Sequence, residues 1–599
     1  MSVGENAPRS GGRKTHLPRS GFRDGMHIDW DVPIAMDDGL VLRADVYRPA
    51  KVGKFPVILS YGPYAKGLAF QEGYPSAWQR MAQMHPDVIA GSTNKYQNWE
   101  VVDPEKWVPD GYACVRVDSR GCGRSPGYVE LWSPREAKDF AQCIEWAGKQ
   151  KWSNGKVGLN GISYYAENQW QCAALQPKHL AAICLWEGAA DFYRDMAHHG
   201  GIFNRGFVQD WSRAQVYSVQ NGRGTRGFKS RMNGDWVSGP ETLSEEQLGQ
   251  NRRDFYEDCI SRKLDTDPYW RSRMPDWSKV KTPLFSSANW GGQGLHTRGN
   301  FEGFTRAASA HKWLEVHGLE HWTHFYTDYG VDLQKRFFAC FLHGDDSGWR
   351  DQPAVQLQVR TLGGFIQRAE RRWPLARTRW TKLYLWPDRS RLSTAPPGAA
   401  SRVAYRADSA GVTFTGPALA AETEITGPVA ARLFVSSTMA DADLFCVLRV
   451  LAPDGSDVTF PGAIDPHTPV AQGWLRVSHR KLDLELSTEY RPYHVHDEVQ
   501  PLVPGGIYRA DVEIWPTSLV VPAGYRIALT VRGRDWEVHY PDSPRLGSFK
   551  NEMTGCGPFL HDDPDDRPPE VTGSSQTLWA GPGRESFLLL PVIPADGGP

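Results

Sequence analysis

The chain has 599 residues, of which 40% are hydrophobic and 23% are charged, and its formal net charge is −1. This composition is typical of a globular protein with about two to four domains. The near-neutral charge argues against a nucleic-acid binder, and no apolar run reaches the roughly 18 residues that span a bilayer. Nine cysteines without C-x-x-C spacing favour free thiols in a reducing, cytoplasmic compartment over a disulfide framework or a zinc site.

The N-terminal part of the chain has two segments that differ in composition and in hydrophobic pattern. Residues 1–24 are rich in Gly, Arg, Ser and Pro and lack an apolar stretch, which predicts a disordered tail. From residue 25 to 350, strand and helix patterns alternate, which predicts a mostly parallel sheet covered by helices. The predicted strands are 32–36, 40–47, 55–60, 113–117, 157–159, 181–185, 282–287 and 312–316, and a helix is predicted over 136–149.

Two further segments complete the predicted organisation. The connection between strands 181–185 and 282–287 is far longer than a usual βα loop, and its segment from about 193 to 279 is rich in Trp, Phe, Tyr and Arg. We predict that it forms a helical cap over the active face, with a surface decoration as the alternative. From 351 to 599, short β-branched runs recur between Pro, Gly and Asp turns, which predicts an all-β sandwich or jelly roll.

A candidate nucleophile lies between a strand and a helix. Gly161-Ile162-Ser163-Tyr164-Tyr165 follows the apolar run 156–160 and precedes the helical stretch 167–175. A sharp turn at this place holds a serine hydroxyl above the carboxyl edge of a sheet, beside the first N–H groups of a helix. The pattern departs from G-x-S-x-G, because Tyr165 stands where a second small residue is usual.

A serine hydroxyl needs a general base and a third group that orients the base. In an α/β-hydrolase sheet the base is a histidine after the last strand, which here is 312–316. His317 adjoins the strand end, and of the three histidines it is the one most consistent with a structural role. His321 follows a loop long enough to curl back over the sheet, and we favour it over His324.

Several motifs together resemble the family of cocaine esterase and X-Pro dipeptidyl-peptidases. They are DSRGCGRSPG at 118–127, WSNGKVG at 152–158, GISY at 161–164, SSTMADAD at 436–443 and LLLPVIP at 588–594. The resemblance implies an α/β-hydrolase domain at 25–350 with the cap inserted, followed at 351–599 by a jelly-roll (galactose-binding-like) C-terminal domain. It also implies a cofactor-independent serine hydrolase that cleaves esters or amides through an acyl-enzyme. The oxyanion would be held by the hydroxyl of Tyr64 and the backbone N–H of Tyr164.

The triad acid is where the sequence departs from that family. The family has an aspartate in a Gly-Trp-x-Asp run, whereas this chain has Asn289-Trp290-Gly291-Gly292. Some α/β-hydrolases take the acid from the end of the strand just after the nucleophile helix. Glu187 lies there, and we predict that it is the acid, with Asp191 and Glu320 as rivals.

The predicted substrate is a small ester or amide or a short peptide, with no cofactor, metal, nucleic acid or membrane partner. An X-Pro dipeptidyl-peptidase is the nearest alternative, because ester and amide hydrolysis use the same residues. A binding module with a decayed site is the alternative from another class. Self-association into a homo-oligomer is open.

Overall fold

The computed structural model describes residues 19–346, 348–546 and 548–595, so residues 1–18 of the predicted tail lie outside the described residues. The prediction is wrong for the end of that tail. Ser20–Arg23 forms a strand that pairs antiparallel with Met26–Ala35. The turn between them is Asp24-Gly25, with φ of +47° and +78°, and Asp-Gly with two positive φ angles is a strong signal for a two-residue hairpin.

The N-terminal sheet is mostly parallel. Its order is β1-β2-β3-β5-β4-β6-β7-β10-β11-β12-β13, and the run from β5 to β12 is parallel. Each of the eight predicted strands overlaps an observed one. The strands are β1 Ser20–Arg23, β2 Met26–Ala35, β3 Val41–Pro49, β4 Phe55–Gly62, β5 Ala113–Asp118, β6 Ser153–Ile162, β7 Leu180–Trp186, β8 His198–His199, β9 Ile202–Phe203, β10 Leu284–Asn289, β11 Lys312–His317, β12 Val355–Thr361 and β13 Gly364–Glu370, of which β8 and β9 form a separate ribbon.

Helices cover the sheet and fill the long insertion. The predicted helix 136–149 is α4, which begins at Pro134, and the hydroxyl of its N-cap Ser133 accepts the N–H of Glu136 at 3.2 Å. Between β7 and β10, four short α-helices, α6 to α9, lie in the segment predicted as a cap. The α-helices are α1 Phe70–Gly73, α2 Pro75–Met84, α3 Pro104–Trp107, α4 Pro134–Gly148, α5 Tyr164–Ala174, α6 Arg205–Trp211, α7 Glu245–Gln250, α8 Phe255–Ser261, α9 Pro268–Arg271, α10 Thr297–Arg306, α11 Thr323–Tyr326, α12 Asp328–Phe338 and α13 Pro569–Thr572.

The C-terminal part is rich in β-strands around one apolar core. The predicted boundary at 350/351 falls before β12 and β13, yet β12 pairs with β11 in parallel, so the N-terminal sheet continues past that boundary. The reason is that Val355, Leu357 and Val359 are buried in the same apolar cluster as Leu314 and Val316 of β11. The remaining strands are β14 Arg379–Trp386, β15 Arg391–Ser393, β16 Ser401–Arg406, β17 Val412–Thr415, β18 Thr423–Ser437, β19 Asp443–Leu451, β20 Ala471–Arg476, β21 Tyr508–Val521, β22 Arg526–Arg532, β23 Ser575–Ala580 and β24 Phe587–Ile593.

The cysteines and the helices bear on two of the expectations from composition. All nine cysteines are buried and free. Among the described residues, every helix is too short or too polar to cross a bilayer.

Candidate active site

Ser163 occupies a strained turn between β6 and α5. Its φ is +56° and its ψ is −120°, a conformation that costs a non-glycine residue about 1–3 kcal/mol. The turn is held by neighbours, since Ser163 N–H donates to the carbonyl of Trp186 at 3.0 Å and the carbonyl of Ser163 accepts from Glu167 N–H at 2.8 Å. The side chain is 8% exposed and lines a cavity of about 320 Å³.

Tyr165 fits in this turn because two glycines leave room for its ring. A Cβ on Gly161 would lie 2.4 Å from Tyr165 Cβ, and a Cβ on Gly62 would lie 2.6 Å from Tyr165 Cε1. Both approaches are closer than real Cβ contacts. The small residues that a tight elbow needs are therefore at 161 and at the end of β4, and not at 165.

His321 lines the same cavity and is bound to Glu187. Its Nδ1 lies 2.8 Å from Glu187 Oε2, and both side chains are buried. Burial disfavours both charges, but their mutual attraction outweighs it and lowers the pKa of Glu187 to about 2. The structure thus brings the loop after β11 and the end of β7 together.

Glu187 also contacts the neighbouring strand ends. Its Oε1 lies 3.0 Å from His317 Nε2, and Asn289 Nδ2 lies 3.3 Å from its Oε2. These contacts fix the carboxylate over the ends of β10 and β11. His317 is therefore a neighbour of the acid, while His324 pairs with Glu315 at 3.0 Å.

The rivals for the acid are occupied elsewhere. Asp191 pairs with Arg194 at 2.7 Å and accepts the N–H of the same residue. Glu320 pairs with Arg80 at 3.2 Å. Gly292 donates its N–H to the carbonyl of Asn289 and contributes no side chain.

Of the two predicted oxyanion groups, Tyr64 lines the same cavity as Ser163 and Tyr164 follows Ser163 in the chain. Tyr64 is buried, lines the cavity, and its hydroxyl accepts the indole N–H of Trp211 at 3.0 Å. Tyr164 is the first residue of α5, so its N–H has no partner within the helix. The hydroxyl of the Tyr164 side chain donates to the carboxylate of Glu136 on α4.

Comparisons with known proteins agree with this geometry. The chain aligns over 95% of its length, and over 94% of the other chain, with a crystal structure of a CocE/NonD family hydrolase from Staphylococcus aureus, with 32% identity and a TM-score of 0.81. The chain belongs to this family. The resemblance predicted from the motifs is thus confirmed, and so is the prediction of an enzyme of the serine hydrolase type.

Two family profiles match the N-terminal and the C-terminal part of the chain separately. The profile of the X-Pro dipeptidyl-peptidase (S15 family) matches residues 38–326, and that of the X-Pro dipeptidyl-peptidase C-terminal non-catalytic domain matches 347–552. Cocaine esterase from Rhodococcus sp. is 25% identical over 94% of this chain and 98% of its own length. A putative Xaa-Pro dipeptidyl-peptidase from Streptomyces avermitilis is 24% identical over 83% of this chain and 77% of its own length.

One carboxylate of this CocE/NonD hydrolase site, that of Glu100, is not predicted from the sequence. Glu100 lies in the connection between β4 and β5, and its Oε1 is 2.9 Å from His321 Nε2. Burial raises the pKa of Glu100 to about 7, although the bond from His321 opposes that shift. No strand end or motif precedes Glu100, so the sequence carries no signal for it.

A second histidine was also missed. The ring of His296 stacks on that of His321, with centroids 4.5 Å apart and an interplanar angle of 1°. His296 Nδ1 lies 3.8 Å from Glu167, whose pKa burial raises to about 8. The imidazole of His321 is thus held by a carboxylate at each nitrogen and by a ring on its face.

Proposed function

We propose that this enzyme hydrolyses a small ester or amide through an acyl-enzyme on Ser163. His321 takes the hydroxyl proton as Ser163 attacks the carbonyl carbon, and it returns that proton to the leaving group. Glu187 holds the imidazole through Nδ1 and stabilises the imidazolium. Water then attacks the acyl-enzyme, with His321 again acting as base.

Tyr64 and Tyr164 complete the proposed site as oxyanion donors. The Tyr64 hydroxyl accepts from Trp211, which leaves its own proton for the tetrahedral anion. The N–H of Tyr164 lies at the start of α5, where the helix dipole also favours negative charge. Donors fixed in advance in a buried site act without the reorganisation that water needs.

One observation carries the proposal. The 2.8 Å contact joins Glu187 to His321 in the cavity that Ser163 also lines. It supplies the acid that Gly292 cannot, and it argues against the alternative of a binding module with a decayed site. The sheet-rich C-terminal part, which we propose is a jelly roll, contributes Ile464, Phe549 and Phe559 to the cavity wall.

The cavity wall favours an apolar substrate group. Its aromatic side chains come from the segment after β4, from the insertion, from the loop after β11 and from the C-terminal part, and they are Tyr64, Tyr74, Trp99, Phe207, Trp211, Trp322, Phe549 and Phe559. Names of relatives favour both an esterase and an X-Pro dipeptidyl-peptidase. We propose the esterase as the main activity and the exopeptidase as the second candidate, in a cytoplasmic protein that needs no nucleic-acid or membrane partner.

A fluorophosphonate probe tests the nucleophile. We expect stoichiometric labelling of the wild type and none of Ser163→Ala. Ser76→Ala is the matched control, because Ser76 lines the same cavity but lies on α2, and it should label like the wild type. Labelling that persists in Ser163→Ala contradicts the assignment. A panel of p-nitrophenyl esters beside an X-Pro anilide separates the two candidate activities.

A further inference from the structure

His321 Nε2, the nitrogen that must accept the serine proton, is bound to another group in this structure. It lies 2.9 Å from Glu100 Oε1, while Nδ1 lies 2.8 Å from Glu187 Oε2. A carboxylate at each nitrogen favours the doubly protonated imidazolium. Among the described residues, no hydrogen bond involves Ser163 Oγ. The free site therefore holds its base in the form that cannot accept a proton.

Glu100 is fixed in place by its own backbone. Its φ is +62°, which is strained for a residue with a side chain, and its carbonyl accepts the N–H of Ile162 at 3.0 Å. That bond ties Glu100 to the residue just before Ser163. The carboxyl is 2% exposed and lines the cavity.

Two buried side chains clamp the segment around Glu100. The guanidinium of Arg116 donates to the carbonyls of Tyr96 and Val102, at 2.6 and 2.7 Å. The hydroxyl of Tyr326 lies 3.1 Å from the carbonyls of both Asn98 and Val101. These four hydrogen bonds fix the backbone on both sides of Glu100 and therefore fix the position of its carboxylate.

Burial acts against the charged form of the Glu100 carboxyl. Its Oε2 is buried and makes no hydrogen bond of ordinary geometry among the described residues, although the indole of the adjacent Trp99 is close enough to lower the pKa of Glu100 slightly against the larger effect of burial. A buried carboxylate oxygen without such a bond is costly when charged and much less so when the group is neutral. The contact with His321 Nε2, 2.9 Å away, offsets part of that cost.

We propose that Glu100 is a positioning residue that holds the Nε2 proton of His321 in the free site, and that this proton must leave before the base can act. When it leaves, the Nε2–H bond of the imidazolium breaks and the proton passes to solvent water, while Glu100 keeps its negative charge. The neutral imidazole, still held by Glu187 at Nδ1, then turns its free Nε2 toward Ser163 Oγ. The inference rests on the proposed serine hydrolase function.

Other titratable groups around Glu100 do not replace it in this role. The carboxylate of Glu187 is committed to His317 and His321. Glu167 accepts the N–H of Ala189 and makes no direct bond to His321. His296 is a neutral ring whose pKa burial lowers. The remaining facing groups are phenols whose pKa values burial raises, so they stay neutral, namely Tyr64, Tyr74, Tyr165 and Tyr326.

The test is the pH dependence of Glu100→Gln. The amide keeps the shape but removes a negative charge that favours the imidazolium, so the acidic limb of kcat/KM should move to lower pH by about one unit or more. On that limb the active fraction should rise about tenfold. The rate of fluorophosphonate labelling, which also needs the base but no substrate, should shift with it.

Two variants control for size and for loss of any buried carboxyl. Glu100→Asp keeps the charge, so its acidic limb should stay nearer that of the wild type than that of Glu100→Gln. Glu167→Gln changes an equally buried carboxyl that is already mostly neutral, since its pKa is raised to about 8, and its limb should not move.

Two results would overturn the inference while Ser163 still labels in the wild type. One is a Glu100→Gln limb that coincides with the wild-type limb. The other is a folded Glu100→Gln protein that is inert toward the probe at every pH. Should that variant not fold, the ¹⁵N titration of His321 in the wild type decides: a doubly protonated ring at neutral pH supports the inference, and a neutral ring contradicts it. Failure of the proposed function itself would instead appear as an unlabelled wild type.

Discussion

Replacement of Glu187 by Gln tests the least conventional member of the proposed triad. Each carboxylate oxygen now faces one imidazole nitrogen, Oε2 to His321 at 2.8 Å and Oε1 to His317 at 3.0 Å. An amide has one oxygen and one NH₂ group. When the NH₂ faces His321 Nδ1 it selects the wrong tautomer, and when the oxygen does so the negative charge is still lost.

The expected loss in kcat is large. The charge of Glu187 is the leading favourable contribution that raises the pKa of His321 to about 10 against the effect of burial. An imidazolium forms in the transition state, so loss of the Glu187 charge destabilises the transition state more than the ground state. Removal of a triad charge with its geometry kept typically lowers kcat by about 10⁴, which corresponds to about 5 kcal/mol. KM should change little, because Glu187 does not line the cavity wall.

The assay is steady-state and burst-phase hydrolysis of a p-nitrophenyl ester, with thermal unfolding measured in parallel. Glu315→Gln is the matched control, since Glu315 forms the other buried carboxylate–histidine pair, at 3.0 Å from His324. It should lower the free energy of unfolding with a far smaller effect on kcat. Turnover of Glu187→Gln within about tenfold of the wild type, or a larger loss in Glu315→Gln, would refute the assignment of both acid and base.

Two further predictions concern the oxyanion donor and the buried histidines. Tyr64→Phe should lower kcat by about 10²–10³ with little change in KM, because it removes one oxyanion donor, and an unchanged kcat would remove Tyr64 from the site. His198 is neutral when folded, since burial lowers its pKa to about 4 from 6.5, so its contribution to stability is lost as pH falls from 6.5 to 4. His198→Phe should therefore gain about 3 kcal/mol of unfolding free energy relative to the wild type between pH 7 and pH 4, and a difference in Tm that does not vary with pH would contradict this.

The parts of the site that the sequence predicts are those fixed by local signals and by sheet topology. Ser163 follows a strand and starts a helix, which is a local pattern. Glu187 and His321 lie after β7 and β11, and the carboxyl ends of parallel strands meet at one edge of the sheet. That rule brings residues 134 positions apart into contact without any knowledge of the loops.

The parts that the sequence does not predict depend on loops that carry no periodic signal. Glu100 reaches the site from a connection whose path is set by Arg116 and Tyr326. The His198-His199 and His494-Val495-His496 segments read as isolated pairs, yet tertiary structure brings His199 within 2.8 Å of His561, and His496 within 3.1 Å of His479. The pairing of β12 with β11 across 350/351 is unpredicted for a similar reason, since a change in residue pattern does not say which sheet a strand joins.

Gly292 stands where the family has an aspartate, and its neighbours leave little room for a side chain. A Cβ on Gly292 would lie 3.1 Å from His296 Cβ and 3.2 Å from Thr297 N, so a side chain there would press on the ring that stacks on His321. The proposed acid, Glu187, comes instead from the end of β7, which β10 separates from β11 in the sheet. Glutamate has one more methylene than aspartate, and Asn289 at the end of β10 donates to the carboxylate as it passes. A side chain at 292 would therefore crowd His296, and an acid supplied from residue 187 leaves that place to glycine.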